Sequence, residues 1–342
     1  MKKSLIALAV LAASGAAMAQ SSVTLYGRLD ASLGQTTTET TGAVPVASLS
    51  QTGINSSAKN TTYWGMKGSE DLGGGLKANF VLQSGFAIDT GVGNAGLFER
   101  EAHVGLAGGF GEVALGRQYT SFHSSMGDTD MLWDNNFAVA GTVSGVGVAA
   151  QGVRASNSIR YDSPKFGGVT ASVTLGFGED KGATGNVGDA TNHVSFNVKY
   201  AAGPVMVTYA HQENKLAQAN LTTAQVTNKY DIIGGTYDFG AAKINAAYNK
   251  AKDGTQNDTE YQVGVTVPMG AFAFGVGYSA GKSTASGLAD LESKGFAMSA
   301  QYDLSKRTSL YAGYKATEVE TNRAATNTAK SKTFAAGVVH LF

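Results

Sequence analysis

The chain has 342 residues, with 45 glycines, 4 prolines and no cysteine; 43% are hydrophobic, only 15% are charged, and 26 basic residues balance 26 acidic ones. The missing cysteines exclude a disulfide scaffold, a Cys-zinc site and a thiol nucleophile, and the balanced charge speaks against a nucleic-acid-binding surface, which carries a basic face. So high an apolar fraction excludes a disordered chain, and so few prolines exclude a proline–glycine linker or a collagen-like repeat.

Residues 1–19, MKKSLIALAVLAASGAAMA, place Lys2 and Lys3 before an apolar run at residues 5–13 and a small-x-small site at Ala17-Met18-Ala19. This order of parts predicts a bacterial signal peptide cleaved after Ala19. The apolar run is shorter than the ~20 residues of a spanning helix. Cleavage removes two lysines, leaving 24 basic against 26 acidic residues and a mature net charge of −2. Past residue 19 no apolar run reaches the ~18 residues that would suggest a membrane helix. An exported chain of this kind enters a membrane only as a closed barrel, the other structure that satisfies every backbone group in lipid.

Residues 20–342 support that reading as one domain. Val169, Ala171, Val173, Leu175 and Phe177 alternate with Thr170, Ser172, Thr174 and Gly176; Val194, Phe196, Val198 and Tyr200 alternate with Ser195, Asn197 and Lys199. Ala242, Ile244, Ala246 and Tyr248, then Tyr261, Val263, Val265 and Val267, continue the pattern. Period two over about ten residues, one face apolar and one polar, describes a strand between lipid and water. Soluble sandwich strands are shorter, about five or six residues.

Short turns at residues 70–75, 164–168, 202–204, 238–240, 268–270 and 304–307 separate longer polar loops near 35–60, 121–152, 180–191, 215–228, 253–258, 283–292 and 321–331. Short turns at one rim and long loops at the other belong to outer-membrane barrels. The count predicts an all-β fold: a sixteen-stranded antiparallel transmembrane β-barrel, starting at Val23 and ending at Phe342, with short periplasmic turns and long extracellular loops. Glycine at about 13%, against a usual ~7%, then serves bends and close backbone approaches in the wall. Tyr26, Tyr63, Trp64, Tyr200, Tyr209, Tyr248, Tyr278, Tyr302, Tyr311 and Tyr314 are candidates for interfacial aromatic girdles. On the first strand Arg28 and Asp30 lie opposite Leu25, Leu29 and Leu33, so if the leucines face lipid both charges face the lumen, where charge is tolerated.

Chemistry-bearing motifs are few. The five histidines, His103, His123, His193, His211 and His340, form no HExxH pair or other close ligand spacing. No GxSxG turn accompanies the serines near His103 and Asp128. Gly91-Val92-Gly93-Asn94-Ala95-Gly96 fits GxGxxG but has no βαβ context and reads as a loop. Asp128-Thr129-Asp130 resembles the start of a calcium loop, yet Met131 and Leu132 follow where a spacer and ligand belong. No enzyme, metal or cofactor is expected. The competing readings are a barrel enzyme of protease or lipase type and a surface adhesin.

Several blocks carry a family resemblance across the whole chain. They are Ser22-Val23-Thr24-Leu25-Tyr26-Gly27-Arg28-Leu29-Asp30, Gly68-Ser69-Glu70-Asp71-Leu72-Gly73-Gly74-Gly75-Leu76-Lys77-Ala78, Gly109-Phe110-Gly111-Glu112-Val113-Ala114-Leu115-Gly116-Arg117-Gln118-Tyr119, Asn157-Ser158-Ile159-Arg160-Tyr161-Asp162-Ser163-Pro164, and Leu304-Ser305-Lys306-Arg307-Thr308, with a terminal Phe342. Together they resemble the beta-proteobacterial trimeric general porins of the Neisseria, Bordetella and Burkholderia type. The resemblance implies a homotrimer in the outer membrane, among lipids and lipopolysaccharide, passing ions and small hydrophilic solutes. It implies that a constriction loop at residues 120–152, bearing Asp128, Asp130 and Asp134, folds into each barrel. Opposite it, the resemblance implies a basic cluster at Arg100 and Arg154, with Arg28, Arg117 and Arg160 as further contributors. A third arginine of relatives is Tyr63 here, which predicts weak selectivity. Phe342 is implied as a signal to the outer-membrane insertion machinery. Independently of the family, acidic and basic walls facing each other across a narrow pore create a transverse field that sets ion preference.

Overall fold

The computed structural model describes residues 22–42, 47–130, 132, 135–139, 147–149, 151–178, 192–216, 225–324 and 327–342. The leader, its cleavage site and Asp134 lie outside the described residues. The strands are β1 (Ser22–Thr41), β2 (Ala47–Ser56), β3 (Tyr63–Gly73), β4 (Leu76–Gly85), β5 (Glu101–Gly108) and β6 (Gly111–Tyr119). Helix α1 (Ser121–Asp128) follows, then β7 (Arg154–Asp162), β8 (Val169–Phe177), β9 (Asn192–Ala202), β10 (Val205–Lys215), β11 (Thr227–Asp238) and β12 (Lys243–Lys252). The last are β13 (Gln256–Met269), β14 (Phe272–Ala285), β15 (Leu291–Asp303), β16 (Thr308–Thr321) and β17 (Asn327–Leu341).

Each strand pairs antiparallel with its neighbours, and β1 pairs with β17 from Arg28↔Leu341 to Thr41↔Thr328, which closes the sheet. The seventeen segments make sixteen wall strands, because β2 and β3 are two halves of one: β2 pairs with β1 over Ala31 to Thr40 and β3 pairs with it over Ser22 to Arg28. Closure leaves no edge of unpaired backbone for lipid to meet. The faces follow the alternation. On β9, Val194, Phe196 and Val198 point outward and exposed, while Ser195 and Asn197 are buried inside. Apolar groups face out because the surrounding solvent is lipid.

Three features depart from the sequence reading. The region near 35–60 is mostly strand: Thr37 hydrogen-bonds Ser50 (2.7 Å) and Thr36 hydrogen-bonds Thr333 (3.1 Å). It lacks apolar alternation, yet β-branched threonine still favours the extended backbone. The break between β2 and β3 turns inward at residues 57–62. Ser57 takes a left-handed φ of 63°, and its hydroxyl accepts the Thr62 N–H at 2.8 Å. Asp30, 0% exposed, holds this segment: its carboxylate accepts the N–H groups of Lys59 (2.8 Å) and Asn60 (2.5 Å) and the Tyr311 hydroxyl (2.5 Å). Finally, Tyr26, Tyr63 and Tyr311 face the lumen instead of a girdle, whereas Tyr200, Tyr209, Tyr278 and Tyr302 are exposed on the outer face. The β3–β4 turn uses Gly73, Gly74 and Gly75 at φ of 83°, 61° and 81°, a run only glycine tolerates without strain.

Candidate pore constriction

After β6 the chain leaves the wall and enters the barrel. The Thr120 hydroxyl caps α1 by accepting the His123 N–H at 3.1 Å. The helix rests on the wall through polar contacts, Ser121 N–H to Thr174 (3.1 Å) and Ser125 to Thr208 (2.7 Å), and buries Phe122 with Ala210, Tyr230 and Ile232. Beyond it the Gln262 amide donates to the Thr129 carbonyl (3.1 Å), Asn135 donates to Ser299 (3.1 Å), and the Lys315 ammonium donates to the Asn136 carbonyl (3.1 Å). The Asn136 N–H reaches the Lys59 carbonyl at 2.7 Å, which ties the loop to the inward segment 57–62. On the way back the Asp258 carboxylate accepts the N–H groups of Gly147 (3.0 Å) and Val148 (2.8 Å). The loop thus lies against the inner wall from β8 to β17, and the wall of β1 and β3–β7 carries the basic residues.

That basic wall is a ladder of arginines and tyrosines. The Arg28 guanidinium lies 5.4 Å from the Tyr63 ring centre and the Arg100 guanidinium 4.8 Å from it. Arg100 donates to the Gln83 side-chain oxygen (2.6 Å) and to the Tyr119 hydroxyl (2.8 Å). Arg154 donates to the same hydroxyl at 2.6 Å and lies 4.3 Å from the Tyr119 ring centre. The Tyr119 ring stacks on His123 of α1, centres 5.0 Å apart and planes 12° apart. Cation–π contact stabilises each guanidinium without cancelling its charge. Among the described residues no carboxylate pairs with Arg100 or Arg154, so the wall keeps its positive charge where the loop narrows the lumen.

The profile of the Gram-negative porin family matches residues 5–322. The chain belongs to this family. Outer membrane porin protein 32 of Delftia acidovorans is 35% identical to this porin over 329 residues, covering 91% of this chain and 88% of the relative. An outer membrane porin protein of Bordetella pertussis is 32% identical over an alignment that spans both chains completely. Among solved structures, the anion-selective porin from Comamonas acidovorans aligns with a TM-score of 0.79 at 25% identity, covering 94% of this chain and 100% of that one.

In this porin the residues singled out from sequence take distinct places. Arg28, Arg100 and Arg154 share the inner wall. Arg160 also faces the lumen, but both oxygens of Asp162 accept from its guanidinium, at 2.8 and 2.7 Å, so its charge is paired. Arg117 does not join them. It stands opposite Ala102 on the outer face and donates to the Glu99 carbonyl (2.6 Å) and Ser156 (2.7 Å). Alternation alone sets Arg117 on the face of the exposed Leu115, and the bulge beside Gly116 (φ 134°) shifts the register next to it, which brings Tyr119 to the lumen. Asp128 pairs with Lys199 at 3.1 Å, and Asp130 accepts the Leu132 N–H at 2.7 Å, so the two do not converge on one point. Among the described residues no group of three or more His, Asp or Glu side chains is set to hold a metal ion. Sequence reasoning missed Tyr119 and Lys59. Tyr119 had no signal, because the register shift before it reverses the alternation, and Lys59 had none, because the inward segment has no periodicity.

Proposed function

We propose that this porin is a general diffusion channel that lets ions and small hydrophilic solutes move down their gradients, with a modest preference for anions. One observation carries the preference: Arg100 and Arg154 both donate to the neutral Tyr119 hydroxyl and have no carboxylate partner among the described residues. Unneutralised charge between low-dielectric walls raises the local concentration of the opposite ion. The likeness to an anion-selective porin supports the same sign. Passive diffusion needs no reacting group, which is why the channel is assigned no catalytic residue or cofactor. Asp128 and Asp130 would form the acidic side of the constriction, with the Lys199 pairing reducing the contribution of Asp128.

The same reading includes a homotrimer and a Phe342-dependent insertion step, both supported by the sequence resemblance, and a leader removed after Ala19, supported by the order of parts in residues 1–19. The test is purified protein in a planar bilayer under a salt gradient. Conductance entering in steps of three, with a reversal potential of anion-selective sign, is the expected result. A silent protein would sink the channel, and a cation-selective sign would sink the role given to the arginines.

A further inference from the structure

Four glycines on the inner wall lie directly behind the constriction loop. Gly234 on β11, Gly275 on β14, Gly295 on β15 and Gly313 on β16 all face the lumen. Each is met by a different residue of the constriction loop. A Cβ on Gly234 would lie 2.6 Å from the Thr129 methyl and 2.7 Å from the Ala247 Cβ of the neighbouring strand, one on Gly275 2.8 Å from a Leu132 methyl, and one on Gly295 2.7 Å from the Val139 Cβ. On Gly313 it would collide with three carbons of the Phe137 ring. Real atoms do not approach so closely, so each glycine is a notch filled by the loop.

The order of the notches traces the loop. It runs outward past β11 and β14 to Phe137 at β16, then turns back to Val139 at β15. The seated side chains are dry, with Phe137 1% and Val139 0% exposed, and they pack on Ala297 and Ala335. An apolar patch of this kind is out of place in a water-filled lumen, whose wall is polar. It is explained if the loop is meant to be held flush. We infer that Gly234, Gly275, Gly295 and Gly313 are the size-determining residues of the pore, because the depth of their notches fixes how far the loop stands from the arginine wall. This rests on the diffusion-channel reading above, and it assigns size exclusion to the wall behind the loop instead of to the charges in front of it.

The test compares Gly275→Ala and Gly313→Ala with Gly53→Ala, whose added methyl meets nothing within 4 Å. Folding and insertion are checked first by protease resistance of the membrane-inserted barrel. Each methyl lifts the loop towards the arginine wall, so single-channel conductance should fall about twofold, and uptake of the largest permeant sugar in liposome swelling should fall further, since passage depends steeply on pore diameter. Leu132→Ala combined with Gly275→Ala, and Phe137→Ala combined with Gly313→Ala, remove the atoms in collision and should restore conductance. A silent wild-type protein overturns the channel reading. A conducting wild type whose inserted Gly275→Ala and Gly313→Ala variants match Gly53→Ala, or whose defects the paired truncations leave unchanged, overturns this inference alone.

Discussion

Tyr119 solves a local electrostatic problem at the scale of one residue. Two guanidinium groups repel, yet both Arg100 and Arg154 are held within hydrogen-bond distance of one phenol oxygen, which accepts from each. Tyr119→Phe keeps the ring beneath Arg154 but removes the shared acceptor, so the arginines should separate and anion preference weaken while conductance changes little. Arg100→Ala and Arg154→Ala remove charge outright and should lower the anion-to-cation permeability ratio by about two- to threefold, as expected for one unit charge at close range in partly screened water. Reversal potentials across a salt gradient read all three. Asp30 shows the limit of reading charge by parity. The alternation sets it on the same inward face as Arg28, but its carboxylate is used up by Lys59, Asn60 and Tyr311. Nothing in the sequence around residues 57–62 announces that the chain turns inward to meet it. Asp30→Ala leaves three donors without an acceptor and should lower stability by roughly 3 kcal/mol, read as a drop in the urea midpoint of the refolded barrel; Asp30→Asn, which keeps an acceptor oxygen, should lose less.

At the scale of elements, the lipid-facing strands were legible because a single solvent boundary imposes period two on them, as β9 and β13 show. In upper β1 the pattern disappears although the strand does not: its threonines stay paired to β2 and β17. Helix α1 was equally silent, since its stabilising contacts are hydroxyls meeting Thr174 and Thr208 on distant strands. The closing seam has its own logic. Phe342 and Gly27 exchange backbone hydrogen bonds of 3.0 and 3.2 Å, and the Phe342 ring covers the space a Gly27 side chain would fill. If the terminal ring matters for insertion only as a free recognition signal, Phe342→Ala refolded in detergent, away from the insertion machinery, should keep the wild-type urea midpoint. If it matters by sealing β1 to the last strand, the same variant should lower that midpoint as well as the amount of surface-inserted protein, measured by surface labelling of intact cells.

For the whole molecule, composition and architecture explain each other. A charged fraction of 15% is low for a soluble domain, at roughly 25%, because one face of the wall strands meets lipid. Glycine excess has at least two sources, turns such as 73–75 and the lumen notches under the loop, and only the first is visible from sequence. Net charge is uninformative about the pore, since paired groups such as Arg160 with Asp162 and Lys199 with Asp128 cancel locally, whereas Arg100 and Arg154 do not. Selectivity therefore depends on a few wall charges acting across water, and such a field is shortened by salt. The screening length falls from ~10 Å at 0.1 M to ~3 Å at 1 M. Anion preference measured at a fixed concentration ratio should accordingly decline as both solutions are raised through that range, while the size limit for neutral sugars stays constant because it is set by packing. A preference that survives 1 M salt undiminished would place its origin in close contact with the ion, within a single hydration shell of Arg100 and Arg154, instead of in the field of the wall.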